Sequence, residues 1–146
     1  MMIPTELLAH PFGQTITLTQ LAATLDAAAS WEAKNRLLVQ LSRQLPDWPA
    51  EYKTADCKVS GCESQVWLRQ DRSADGHWQI AADSDSRIVK GLLALVLTAY
   101  HHQPTNAVQT FDFEGWLQAR GMQRFLTASR GNGLRAIVQT IEKQRQ

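Results

Sequence analysis

The stretch from Ile88 to Tyr100 constrains this chain more than any other. Read as a helix, it is apolar nearly all the way round. Such a helix has no face to offer water and belongs in the middle of a core. Its longest strongly apolar run, Leu92 to Ala99, falls well short of the ~18 residues a membrane span needs. Asp83, Ser84, Asp85 and Ser86 precede it as candidate caps. Gly91 lies inside it, where glycine costs up to about 1 kcal/mol relative to alanine, so close packing is expected at that point. The rest of the chain must supply the cover for this segment.

The flanking patterns say what that cover is. Residues 1–16 read as an irregular lead-in containing Pro4 and His10-Pro11-Phe12-Gly13. Thr17 with Gln20 has capping-box spacing, followed by Leu18, Leu21, Ala22 and Leu25 at helical period. Ser30 caps a second predicted helix with Lys34, Leu37, Leu38, Leu41 and Leu45 on one face, and Pro46 stops it before a loop at Asp47-Trp48-Pro49. Residues 57–60 and 64–70 then read as strand, interrupted at Gly61-Cys62. Ser73-Ala74-Asp75-Gly76 is a hairpin turn, and His77 to Asp83 alternates with Trp78, Ile80 and Ala82 on one face. That predicts a small antiparallel sheet with one buried side. Pro104 ends the region after the central helix. A helix over 113–119 with Gly121 at its C-terminal end follows. A last helix has Ser129 as its expected cap and Leu134, Ile137, Val138 and Ile141 as its stripe. Helices, then strands, then helices make an α+β fold, a small antiparallel sheet packed against several helices.

At 146 residues the expectation is one domain over 1–146, able to bury roughly 68–70% of its unfolded surface. Fifteen basic and 14 acidic residues leave a net charge of +1, which offers no basic excess for nucleic acid. Met1 to His10 carries no basic leader followed by an apolar stretch, so a cytoplasmic location with no membrane association is expected. In a reducing compartment the two cysteines, Cys57 and Cys62, are not expected to form a structural disulfide. They must be explained as packing, metal binding or reactivity.

Cys62 stands out because it follows Gly61 at the break between two strand-like runs, where glycine permits a tight turn. The run Val59-Ser60-Gly61-Cys62-Glu63-Ser64-Gln65-Val66-Trp67-Leu68 resembles the cysteine motif of the SufE family. Asp83-Ser84-Asp85 leading into Ile88-Val89-Lys90-Gly91-Leu92-Leu93 resembles that family's next block. Leu126-Thr127-Ala128-Ser129-Arg130 with Gly133-Leu134 resembles a third. Upstream, Trp31-Glu32-Ala33-Lys34 and Gln44-Leu45-Pro46 fit its helix entry and stop. His10-Pro11-Phe12-Gly13 is closer to the CsdE branch, while the central and C-terminal blocks are equally similar to SufE itself.

The resemblance implies a SufE/IscU-like fold and a function. Members accept sulfane sulfur from a pyridoxal-phosphate cysteine desulfurase, stimulate it, and hand the sulfur to an iron–sulfur scaffold or a tRNA-modifying system. The acceptor position is matched by Cys62. No cofactor of its own is implied, because pyridoxal phosphate belongs to the desulfurase. Attack on sulfur requires a thiolate, and a free thiol with a pKa near ~8.5 is only slightly ionised at neutral pH. Glu63 has the wrong sign to help, so activation is expected in complex with the partner. Arg130 supplies positive charge if the fold brings it near. A surface or capping arginine is the plainer account of the same residue. An apolar cover from Val66, Trp67 and Leu68 would protect a persulfide, although core packing explains those residues more simply. Cys57 lies outside the motif; resolving a persulfide or pairing with Cys62 is one role open to it, and a tolerated thiol at a strand start is the plainer reading.

Three other readings compete. Cys57 and Cys62 with His77, His101 and His102 make a weak metal-binding set, since the last two are adjacent on one helix and point apart. A Cys–His hydrolase would need a base within about 3 Å of the sulfur, and none of the four histidines is marked by spacing. A non-catalytic binding module would use an exposed Trp48 or Trp116 as anchor, although five tryptophans in one small domain are more simply core.

Overall fold

The computed structural model describes residues 3–59, 64–126 and 128–143. Two antiparallel strands, β1 (Val66–Arg72) and β2 (Trp78–Ser84), lie in the middle of the chain. Helices α1 (Leu18–Ala27) and α2 (Trp31–Ser42) precede them. Helices α3 (Arg87–Tyr100), α4 (Thr105–Thr110), α5 (Phe113–Ala119) and α6 (Ala128–Lys143) follow. The α+β expectation holds.

Helix α3 is the axis of the fold. Every residue from Lys90 to Tyr100 is buried, with α2 and β2 as its principal neighbours. Its approach to α2 is set by Gly91. A Cβ there would collide with the Leu38 carbonyl oxygen and lie 2.8 Å from the carbonyl carbon and from the Leu38 Cβ. Leu38, Leu41 and Leu45 bury the predicted face of the second helix, and the Lys34 ammonium donates to the Leu25 carbonyl at 2.7 Å. The caps of the first two helices are as read. Thr17 and Gln20 form a reciprocal capping box, and Ser30 Oγ accepts from the Ala33 N–H. At the hairpin, Ser73 N–H donates to the His77 carbonyl at 2.8 Å, and Gly76 sits at φ 86°. On α6, Leu134, Ile137 and Ile141 are buried, and Gln70 of β1 donates to the Thr140 carbonyl.

Several expectations need correction. The sheet is buried on both faces. Val66, Leu68, Ile80 and Ala82 join the main core, while Trp67 and Ala81 face a second cluster of Ile3, Leu7, Trp48 and Cys57. The lead-in is not irregular throughout, because Thr5–Leu8 forms a 3-10 turn that lays Leu7 on this second face. Cys57 does not start a strand. It ends a 3-10 turn over Ala55–Cys57, and only Lys58 makes a bridge, to Trp67. Asp83 is a strand residue and not a cap. Ser86 caps α3, accepting from the Val89 N–H. His101 and His102 follow α3, with His102 at φ 64°, so they are not successive helical positions. Pro104 begins α4 at its N-cap, whereas it was expected only to end the region. Helix α6 starts one residue before Ser129, so Ser129 lies within it. Trp48 is only 3% exposed and presents no surface anchor. Trp116 is half-buried, stacked on Phe113 with the Arg120 guanidinium over its ring.

Candidate functional site

The segment around the expected acceptor is held at both ends. Val59 N–H donates to the Val66 carbonyl at 2.9 Å, and Lys58 bridges Trp67, so these residues continue the sheet on the outer edge of β1. On the far side of the break, Gln65 N–H donates to Asp85 Oδ1 at 3.0 Å, and Asp85 N–H returns a bond to the Gln65 carbonyl at 3.3 Å. Residues 60–63, and with them Cys62, lie outside the described residues. The stem and the latch therefore define the base of the cysteine loop: a strand edge on one side, the β2–α3 corner on the other.

That corner is braced by a buried charge network. Asp83, 1% exposed, accepts from the Trp48 N–H and the Ser84 N–H at 2.8 Å each, and its Oδ1 lies 3.1 Å from Lys90 Nζ. Lys90 also pairs with Asp47, and Lys53 stands 4.0 Å from Asp83. The Lys90 ammonium beside Asp47 holds that carboxyl below its usual range. A buried carboxylate with this many donors has its desolvation offset. The network ties the loop after α2, strand β2 and helix α3 together, with Asp83 two residues before the Asp85 latch. The N-terminal end of α3, with Arg87 in its first turn, adds positive potential at the loop base, while the exposed Asp85 carboxylate opposes it.

On the other flank of the stem, a cleft of about 330 Å³ separates Asp56–Val59 from the Ala136–Lys143 part of α6. Cys57 borders it. The thiol is largely buried, and the Thr54 hydroxyl donates to its sulfur at 3.3 Å. Arg130 falls in the first turn of α6, and its side chain lies outside the described residues.

The remaining candidates disperse. Val66 and Leu68 belong to the main core and Trp67 to the second, so all three are accounted for by packing. His77 sits in the hairpin, 3.3 Å from Asp75. His101 is fully buried at the outer edge of β2, where its Nδ1 accepts from the Ile80 N–H. Among the described residues no three His, Cys, Asp or Glu side chains are grouped to hold a metal ion, and no helix is long and apolar enough to cross a membrane. Sequence reading missed both the Asp83–Lys90 pair and the Asp85–Gln65 latch. The first joins residues seven apart across a helix start and the second joins residues 20 apart, and neither spacing carries a recognisable local signal.

These features define a class: an α+β protein in which the residues flanking Cys62 are anchored to a strand edge and to the start of its central helix. Comparison with known proteins agrees. Residues 19–145 match the SufE family model, described as an Fe-S metabolism associated domain. The chain is 37% identical over 132 residues to the sulfur acceptor protein CsdE of Escherichia coli K12, covering 90% of each chain. Its fold is similar to a solution structure of a hypothetical protein from Thermus thermophilus, with a TM-score of 0.69 at 18% identity, covering 99% of this chain and 96% of that one. The chain belongs to the SufE family.

Proposed function

We propose that this protein is a sulfur acceptor that takes persulfide sulfur from a cysteine desulfurase onto Cys62. The Cys62 thiolate attacks the outer sulfur of the desulfurase persulfide. A new S–S bond forms at Cys62, the desulfurase S–S bond breaks, and the desulfurase cysteine leaves as a thiolate. Sulfane sulfur changes carrier without net oxidation. Removing the product sulfur stimulates the desulfurase, and the Cys62 persulfide passes it on to iron–sulfur cluster assembly or tRNA modification. Arg130 supports the anionic sulfur. The whole chain, 1–146, works as one SufE-like domain in the cytoplasm, without a cofactor of its own, and binds neither nucleic acid nor membrane.

The observation that carries this reading is the family match across residues 19–145, and the run Val59–Leu68 around Cys62 resembles the cysteine motif of that family. The anchored residues on either side support it. Val59 and Gln65, three residues to either side of Cys62, are each tied to the fold by hydrogen bonds. The test is intact mass spectrometry of wild type and Cys62→Ser after incubation with a cysteine desulfurase and cysteine. Wild type alone should gain the mass of one or more sulfur atoms. Equal gain on both proteins would place the acceptor elsewhere, and no gain on either folded protein would remove the function.

A further inference from the structure

We propose that residues Ile3–His10 form a strap that closes over the second face of the sheet, and that protonation of His10 and His101 releases it. The strap covers Trp48, Cys57, Trp67 and Ala81 with the buried side chains of Ile3 and Leu7. Among the described residues, no backbone-to-backbone hydrogen bond joins Ile3–His10 to the rest of the protein. Side chains hold it: Gln14 Nε2 donates to the His10 carbonyl at 2.7 Å, and His10 bonds Ile80.

The His10 contact is part of a two-imidazole clamp. His10 Nδ1 accepts from the Phe12 N–H at 3.2 Å, which leaves the proton on Nε2, and Nε2 donates to the Ile80 carbonyl at 3.1 Å. His101 Nδ1 accepts from the Ile80 N–H at 2.9 Å. Both main-chain polar groups of Ile80 on the outer edge of β2 are thus satisfied by neutral imidazoles, whose rings are 4.7 Å apart. A proton on either Nδ1 would set N–H against N–H and place a charge in a buried site. A proton on both would set two cations ring to ring, with His102 only 4.3 Å from His101. The titratable groups acting on this pair among the described residues are the two rings themselves and His102, and no carboxylate is among them. Burial and these neighbours hold both histidines below 6.5, His101 at about 3.

The release has a natural end point. Phe12 is fully buried in the main core, and the Pro11 carbonyl receives the N–H groups of Gln14, Thr15 and Ile16. Gly13, at φ 76°, packs against the His101 carbonyl. The turn therefore stays in place while the residues before it lift away. What they uncover is the face on which Trp67 bridges Lys58, at the stem of the cysteine loop, together with a second thiol.

The test uses the Cys62→Ala chain, in which Cys57 is the only thiol. Its reaction with 4,4′-dithiodipyridine is timed against free cysteine from about pH 7.5 to about pH 5, alongside hydrogen exchange of the α3 amides. Labelling of Cys57 relative to free cysteine should rise below about pH 6.5 by about tenfold per pH unit for each of the two histidines, about a hundredfold together, while α3 stays protected. His10→Gln keeps a donor for the Ile80 carbonyl but cannot take a proton, and it should cut the slope to the about tenfold per pH unit that His101 alone supplies. Relative labelling that does not change with pH would overturn the proposal. So would labelling that rises only in step with loss of α3 protection, or a full rise retained in His10→Gln.

Discussion

Replacing Gly91 by alanine pits two effects of opposite sign against each other. In an isolated helix the change is favourable, because alanine exceeds glycine by about 1 kcal/mol in helix propensity. In this structure the new methyl group would collide with the Leu38 carbonyl oxygen and sit 2.8 Å from two more Leu38 atoms. Two of these three atoms are backbone, so no rotamer change relieves the overlap and α2 must move off α3. Overpacking a tight core costs about 1–3 kcal/mol, and an obstacle made of backbone belongs at the upper end. Subtracting the propensity gain leaves a net loss of about 2 kcal/mol. For a domain of this size that lowers the melting temperature by about 4–8 °C. Urea and thermal unfolding of Gly91→Ala and wild type, followed by circular dichroism, measure it. A variant as stable as wild type, or more so, would mean that propensity wins and that the two helices do not approach as closely as described.

Two further outcomes follow from buried charge. Lys90→Met leaves Asp83 buried with its N–H donors and only the more distant Lys53 as a cation, and breaking such a pair costs about 3 kcal/mol, readable as a lower urea midpoint with an unchanged slope. An unchanged midpoint would mean that the Asp83 charge is already satisfied by the Trp48 and Ser84 N–H groups. Acidification should also destabilise the fold. His101 is neutral when folded, with its pKa lowered from 6.5 to about 3, so its contribution is complete above 6.5 and is lost as the pH falls toward about 3. At ~1.4 kcal/mol per pH unit, unfolding at about pH 5 should be easier than at about pH 7 by ~2 kcal/mol from this residue alone. Equal stability at the two values would show that His101 is charged or exposed in the folded protein.

What was legible in the sequence was local. The capping box at Thr17, the Ser30 cap, the stop before Pro46, the hairpin turn at Ser73–Gly76 and the helix over 113–119 each depend on residues within one turn of one another. Each is found as read, except that α2 ends at Ser42, three residues before Leu45. The central helix was legible because thirteen nearly uniform apolar residues admit one environment. The second face of the sheet was not. Its members, Ile3, Leu7, Trp48, Cys57, Trp67 and Ala81, come from separate segments, and no periodicity links them. The same reason hid the role of Asp83, which looks like a cap beside Ser84 and Ser86 until the Trp48 loop folds back to meet it. The histidines were misjudged through a boundary. α3 ends at Tyr100, one residue before the pair, and that turns His101 inward to Ile80 while His102 is left exposed.

The anchored residues also limit how sulfur can be exchanged. Cys62 stands three residues after Val59 and three before Gln65, and an extended chain spans at most ~3.3–3.6 Å per residue. Whatever path the chain takes, the Cys62 Cα lies within about 11 Å of both anchors. The stem cannot lengthen without breaking the Val59–Val66 bond, and the latch cannot move without displacing the corner that Asp83 and Lys90 brace. A carrier that swung its cysteine over long distances between partners would need neither constraint. On the proposed function, a donor desulfurase must bring its own persulfide to the strand edge at Val59 and the start of α3. A downstream acceptor must then come to the same place. On that reading, delivery and collection share one surface beside the strand edge at Val59 and the start of α3.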